Sequence, residues 1–189
     1  MFRFSRRAIF AALALSACTS VFSQASYPDK PIRLVVPYPP GGFTDILGRQ
    51  LATQLQTRLG QNVIVDNKGG GGSTIGSAMV ARAPADGYTL LLVAPDLAIN
   101  ESLMATRLSY DARKDFSPVI RAAWSPMVLV THPSVPAKNV SEFLALAKAR
   151  PGKINFASGG IGTGAHLALE LFKTRAGIDV THVPYKGNG

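Results

Sequence analysis

The sequence is poor in the residues that most often mark a catalytic or metal centre. Its single cysteine, Cys18, excludes an intrachain disulfide, and no G-x-S-x-G nucleophile motif occurs. The three histidines, His132, His166 and His182, are far apart and lack metal-ligand spacing. We therefore predict no catalytic residue, no metal and no cofactor, and a protein that is not an enzyme.

Acidic residues are absent from the N-terminal stretch, where none precedes Asp29. A basic start is followed by an apolar run, Ala8–Ala17, which is too short to span a bilayer. Ser23 and Ala25 occupy the small-residue positions of a cleavage site. This pattern predicts a signal peptide over residues 1–25 and export to the periplasm.

Two features of the leader leave alternatives open. Leu15–Cys18 resembles a lipobox, in which Cys18 would be acylated, and Ser5–Arg7 loosely resembles a twin-arginine signal. An acceptable conventional cleavage site lies shortly downstream of Cys18. We therefore expect the mature protein to begin mostly at Ser26, free in the periplasm, with no membrane insertion unless Cys18 is lipidated.

The charge balance is basic, with 20 Lys and Arg against 11 Asp and Glu and a net charge of +9. The basic residues are scattered singly, without a run and without interleaved aromatic residues. A solvated surface is the simplest interpretation, and an anionic small-molecule ligand is the next. Nucleic acid is not an expected partner.

Short apolar runs alternate with helical patterns after Pro31, which predicts an α/β fold with mostly parallel sheets. The predicted strands are Ile32–Val36, Asn62–Asp66, Tyr88–Val93, Val119–Ala122, Met127–Thr131, Ile154–Ala157 and Asp179–Val183. The predicted helices are Thr44–Leu59 with Thr44 as N-cap and Gly60 as stop, Thr74–Ala83, Val140–Ala149 with a capping box from Asn139 and Glu142, and Ala165–Ala176. The region Ala94–Pro118 is irregular and polar, which suggests a boundary between domains 26–98 and 99–189. Trp124 is expected in the core or at the lip of a cleft.

Two glycine-rich turns, Gly41–Asp45 and Ser158–Gly164, each join a predicted strand to a predicted helix. Such a turn exposes backbone N–H groups beside the positive end of the helix dipole, and it can hold a carboxylate or phosphate. Either turn alone could be no more than a tight connection. Two of them at the carboxyl ends of strands favour a binding cleft.

Other interpretations of the same residues are weaker. Gly160, Gly162 and Ala165 match a dinucleotide fingerprint, but the acidic residue expected after the next strand is missing. His166 and Glu170 are one helical turn apart and could hold a metal ion. With Asp45 they would support an alternative function, an exported hydrolase or metal-assisted enzyme.

An ordered set of motifs resembles one known family, the Bug-type extracytoplasmic receptors, which are the solute-binding component of tripartite tricarboxylate transporters. The motifs cover nearly all of the sequence after the leader, and they are Tyr27–Ile32, Val36–Asp45, Ala85–Leu90, Tyr110–Phe116, Ser158–Leu167 and Val183–Gly187.

The resemblance implies a two-lobed periplasmic-binding-protein fold that closes on a small carboxylate, a mono-, di- or tricarboxylate or an amino acid, for delivery to membrane transporter subunits. The ligand-binding residues that it implies are Gly41, Gly42, Thr44, Asp45, Ser158, Gly162, Thr163, His166, Tyr185 and Lys186. Residues between Ala94 and Asn100 would add contacts that vary within the family.

One departure concerns length, because family members run considerably further than Gly189. The resemblance therefore implies that the first lobe is incomplete in this chain. We expect exposed apolar surface, poor solubility, a broad melting transition and weak carboxylate binding or none.

Overall fold

A computed structural model describes residues 27–187, so the predicted leader and Cys18 lie outside the described residues. The first sheet is parallel and has the order β2-β1-β3. It consists of β1 (Ile32–Val36), β2 (Val63–Asn67) and β3 (Thr89–Leu91). The central strand β1 is the apolar run of the sequence, and its residues Val35 and Val36 are completely buried, as expected for a strand flanked on both edges.

Helices α1 (Phe43–Leu59) and α2 (Thr74–Ala81) connect these strands. The N-cap of α1 is Gly42, which corrects the prediction of Thr44 in that role. The helix ends at Gly60 as predicted, in a left-handed conformation that glycine adopts without steric cost. Its packing face is centred on Gly48, where an added Cβ would lie 3.0 Å from Val36 Cγ2. Leu51 and Leu55 are only partly buried beside this face.

The region predicted as irregular contains a helix, α3 (Asp96–Leu103), followed by a 3-10 turn at Ala105–Arg107. The residues that α3 buries are polar, Asp96 and Asn100. A helix that buries polar residues has no apolar periodicity, which explains why the sequence pattern did not predict it.

The second sheet contains the parallel strands β4 (Asn155–Ser158) and β5 (Thr181–Pro184), with helices α4 (Val140–Ala149) and α5 (Gly164–Ala176). Its core contains Phe143, Ala147, Leu169, Ile178 and Val180. Asn139 is confirmed as the N-cap of α4, since its side chain accepts a hydrogen bond from the Glu142 N–H at 2.9 Å. The reciprocal bond of a capping box differs, because the Glu142 carboxylate accepts from the Lys138 N–H at 2.8 Å. Thr163 caps α5 in the same way through the His166 N–H.

The two strands predicted over Val119–Ala122 and Met127–Thr131 are not formed. The residues are strand-prone, but within 27–187 they have no strand beside them to bond with. Val119 is 85% exposed and Trp124 is 76% exposed, so Trp124 does not belong to the core. None of the helices in the described part of the chain is long and apolar enough to cross a membrane.

Candidate functional site

An open cleft of about 890 Å³ lies between Pro39 and Pro40, which precede the first glycine turn, and the second sheet. Its volume is within the range of about 300–1,000 Å³ that is usual for small-molecule sites. Three of the predicted ligand-binding residues line it, Ser158, Tyr185 and Lys186. The full lining is Pro39, Pro40, Ala157, Ser158, Gly159, Ala165, Pro184, Tyr185, Lys186 and Gly187.

The start of α1 forms a small recess beside this cleft, with Pro39 common to both. Gly42 and Thr44, both predicted ligand-binding residues, line the recess. No side chain caps α1, and within residues 27–187 no acceptor meets the N–H groups of Phe43 and Thr44. The positive end of the α1 dipole therefore keeps donors available for an anion.

Asp45 stabilises the first turn through buried hydrogen bonds. Its carboxylate accepts hydrogen bonds from the Gly41 N–H at 2.9 Å, Asn67 Nδ2 at 2.9 Å and Arg49 Nε at 3.1 Å. The Arg49 guanidinium, the Gly41 N–H and Asn67 lower the pKa of Asp45 from 3.8 to about 2. Asp45 is 3% exposed and its oxygens are occupied by protein donors, so its geometry is that of a positioning residue.

The second turn is fixed by hydrogen bonds among its own residues. Ser158 Oγ accepts from the Gly160 N–H at 3.1 Å, and Thr163 Oγ1 donates to the Gly160 carbonyl at 2.7 Å. The Gly162 N–H points to His166 Nδ1 at 3.4 Å. Gly162 has φ +83°, and a side chain there would collide with Asn100, so the position requires glycine.

A histidine that the sequence did not suggest as functional, His182, also belongs to this group. Its Nε2 lies 2.6 Å from Ser158 Oγ, and its ring stacks on that of His166 at 4.4 Å. Burial and the neighbouring His166 lower the pKa of His182. The sequence feature that could have identified His182 is its position on β5, the strand that pairs with β4. Parallel pairing places Phe156 opposite His182 and brings Ser158 close to it.

Asp96, one of the residues between Ala94 and Asn100 that the resemblance implies as additional contacts, joins the two turns. Its Oδ2 accepts from the Tyr38 hydroxyl at 2.8 Å, and its Oδ1 accepts from the Gly164 N–H at 3.1 Å. Tyr38 precedes the first turn, and Gly164 ends the second. Desolvation by burial raises the pKa of Asp96 and also that of Tyr38.

The residues of the alternative enzyme are not engaged with one another in this arrangement. Asp45 bonds to Gly41, Arg49 and Asn67, Glu170 pairs with Lys173, and His166 contacts the second turn. Within residues 27–187, no group of three or more His, Cys, Asp or Glu residues has the geometry to hold a metal ion.

Residues 47–189 match the family described as the tripartite tricarboxylate transporter family receptor, TctC. Protein BugT of Bordetella pertussis is 42% identical over 179 residues, which is 94% of this chain and 55% of BugT. The chain spans about half the length of the curated relatives that it matches.

Solved structures share the fold. One of them, the periplasmic binding protein BugD, is 33% identical with a TM-score of 0.71, over 85% of this chain and 54% of that one. Rpa4515 of R. palustris, solved with adipate, is 37% identical with a TM-score of 0.82, over 85% of this chain and 54% of that one. MatC of Rhodopseudomonas palustris, with bound malate, is 30% identical with a TM-score of 0.75, over 85% of this chain and 55% of that one. These likenesses confirm the predicted α/β periplasmic-binding-protein fold, with one lobe incomplete relative to the longer relatives. The chain belongs to the TctC family of tripartite tricarboxylate transporter receptors.

Proposed function

We propose that this protein binds a small carboxylate in the cleft between its two glycine turns and presents it to the membrane subunits of a tripartite transporter. The observation that carries the proposal is the uncapped start of α1, where Phe43 and Thr44 line a small recess that shares Pro39 with the cleft. Relatives in the same family are solved with adipate and malate, both carboxylates. The resemblance in fold and the local geometry point to the same ligand class.

We assign the ligand contacts to the two turns, with the boundary between lobes 26–98 and 99–189 falling within α3. On the first turn the proposed contacts are Gly42 and Thr44. On the second turn they are Ser158, Gly162, Thr163 and His166. Tyr185 and Lys186 close the cleft from the end of β5. Lys186 gives this wall a positive charge, which favours an anion.

The test is isothermal titration calorimetry with a panel of mono-, di- and tricarboxylates and amino acids on the wild-type chain and on Gly42→Val. Gly42 has φ −76°, a conformation that valine adopts, so the added side chain should cover the α1 donors without unfolding the turn. Ser141→Val is the matched control, because it places the same side chain in the exposed first turn of α4.

We expect a carboxylate to bind the wild-type chain and the Ser141 variant weakly but measurably, and the Gly42 variant to lose at least tenfold in affinity. Absence of binding by every carboxylate in the wild-type chain would refute the proposal. Equal affinity in the wild-type chain and the Gly42 variant would show that the first turn does not hold the ligand.

A further inference from the structure

The wall of the cleft consists mainly of residues without a polar side chain. Five of its ten lining residues are proline or alanine, and two more are glycine. The five are Pro39, Pro40, Ala157, Ala165 and Pro184. Proline also lacks a backbone N–H, so its three positions in the wall cannot donate a hydrogen bond. A ligand that touches this wall therefore meets mostly hydrocarbon.

The one serine of the lining, Ser158, already bonds within the protein. It is 7% exposed, its Oγ accepts from the Gly160 N–H at 3.1 Å, and the same oxygen lies 2.6 Å from His182 Nε2. Its backbone carbonyl accepts from the Tyr185 N–H at 2.9 Å. Ser158 can contact a ligand, but it has little capacity left to bond a ligand hydroxyl.

The polar groups that remain for a ligand suit carboxylates. Lys186 is exposed and carries a positive charge, and the adjoining recess contains the uncapped start of α1. Tyr185 is 61% exposed and lines the cleft with an aromatic ring, a large apolar surface with a single hydroxyl at its tip. The lining thus combines positive charge for carboxylate groups with apolar contact for the rest of the ligand.

We propose that the cleft selects carboxylates with an unsubstituted hydrocarbon body over carboxylates of the same length that carry hydroxyl groups. The inference rests on the proposed function, and it names the ligand class of that same site. It applies to ligands with one carboxylate and to ligands with two. A hydrocarbon body gains free energy when it leaves water for this wall, whereas a hydroxyl group gives up bonds to water and finds few partners there.

The test measures two matched pairs of six-carbon ligands by calorimetry on the wild-type chain. Adipate and D-glucarate both have a carboxylate at each end and differ in four hydroxyl groups, and hexanoate and D-gluconate are the corresponding pair with one carboxylate. We expect the hydrocarbon member of each pair to bind about tenfold tighter or more. One hydroxyl group can lower affinity for an apolar pocket by up to about a hundredfold, and an open cleft leaves part of it in water.

Two variants locate the preference in the lining. Ala165→Ser places a hydroxyl in the cleft wall and should reduce the preference about threefold or more, because it offers a ligand hydroxyl a partner. Tyr185→Ser removes the exposed ring and should weaken adipate and hexanoate about tenfold, with a smaller loss for the hydroxylated ligands. Ala168→Ser is the matched control, since it makes the same change at an exposed position of α5 that does not line the cleft, and it should leave the preference unchanged.

The outcomes separate this inference from the proposed function. Hydroxylated ligands that bind as tightly as their hydrocarbon partners in either pair would overturn the specificity proposal alone. So would a preference that Ala165→Ser and Tyr185→Ser both leave unchanged, or binding of other carboxylates but of none of these four. Absence of binding by every carboxylate would overturn the proposed function and this inference with it.

Discussion

The buried carboxylate of Asp45 makes a sharp prediction about how the first glycine turn is held. Replacing Asp45 by Asn leaves one oxygen where two oxygens now serve Gly41, Arg49 and Asn67. The new amide would point a donor at groups that are themselves donors. The turn should lose its support and the protein part of its stability.

The magnitude follows from the change in pKa. A fall from 3.8 to about 2 means that the charged form stabilises the folded state by about 2 kcal/mol at neutral pH. Because the native pKa is the lower one, this contribution is complete above pH 3.8 and is lost as the pH falls through the native value near 2. At pH 3 the contribution should be about half of its neutral value.

Urea unfolding of the wild-type chain and Asp45→Asn at pH 7, 5, 4 and 3 measures this difference. We expect a gap of about 2 kcal/mol or more at pH 7 that narrows between pH 4 and pH 3. The control is Asp179→Asn, where the side chain is exposed and the change should be small at every pH. A gap below 0.5 kcal/mol at pH 7, taken here as roughly the scatter of surface substitutions, would refute the reasoning. So would a gap that stays constant down to pH 3.

Three more predictions follow from separate parts of the fold. Asn139→Ala should lower the unfolding free energy by about 1 kcal/mol in urea titrations, because it removes the cap on the Glu142 N–H, and an unchanged midpoint would contradict this. The pKa of His182 lies below its ordinary 6.5, so the folded state should lose stability as the pH falls below 6.5. His182→Gln should reduce this dependence of the unfolding free energy on pH, and equal pH profiles for the two proteins would contradict the prediction. Val119 and Val128 are 85% and 81% exposed, so lysine at both positions should reduce self-association of the protein, measured by light scattering, without lowering its melting temperature. Undiminished self-association would show that this segment does not cause it.

Much of the fold could be predicted because its signals are local. The apolar run of β1, the Gly60 stop and the N-cap Asn139 each depend on a few neighbouring residues, and the structure contains all three. The two glycine turns were also predictable, since a strand, a turn and a helix follow one another in the sequence. In open α/β sheets, ligands bind at the carboxyl ends of the strands. Both turns follow such strand ends, so the sequence was enough to assign them to a binding cleft.

The misses share a different cause, which is that their structure is set by distant residues. Helix α3 depends on Gly72, Tyr38 and Gly164, which bond to the polar side chains that it buries. The segment from Val119 to Val130 has the composition of a strand, but strand formation requires a neighbouring strand, and none of the described residues provides one. Local preference was sufficient for the turns and insufficient for these two segments.

The pKa values of the two buried aspartates near the site, Asp45 and Asp96, could not be predicted from the sequence pattern. The pKa of Asp45 is lowered because a guanidinium and two further donors outweigh its burial, whereas that of Asp96 is raised because burial outweighs the Tyr38 hydroxyl and the Gly164 N–H. One carboxylate faces into the protein and organises donors for a ligand, and the other takes up such a donor itself. The pKa of each carboxylate is thus set by its burial and by partners that the fold brings to it, such as Asn67 for Asp45 and Gly164 for Asp96.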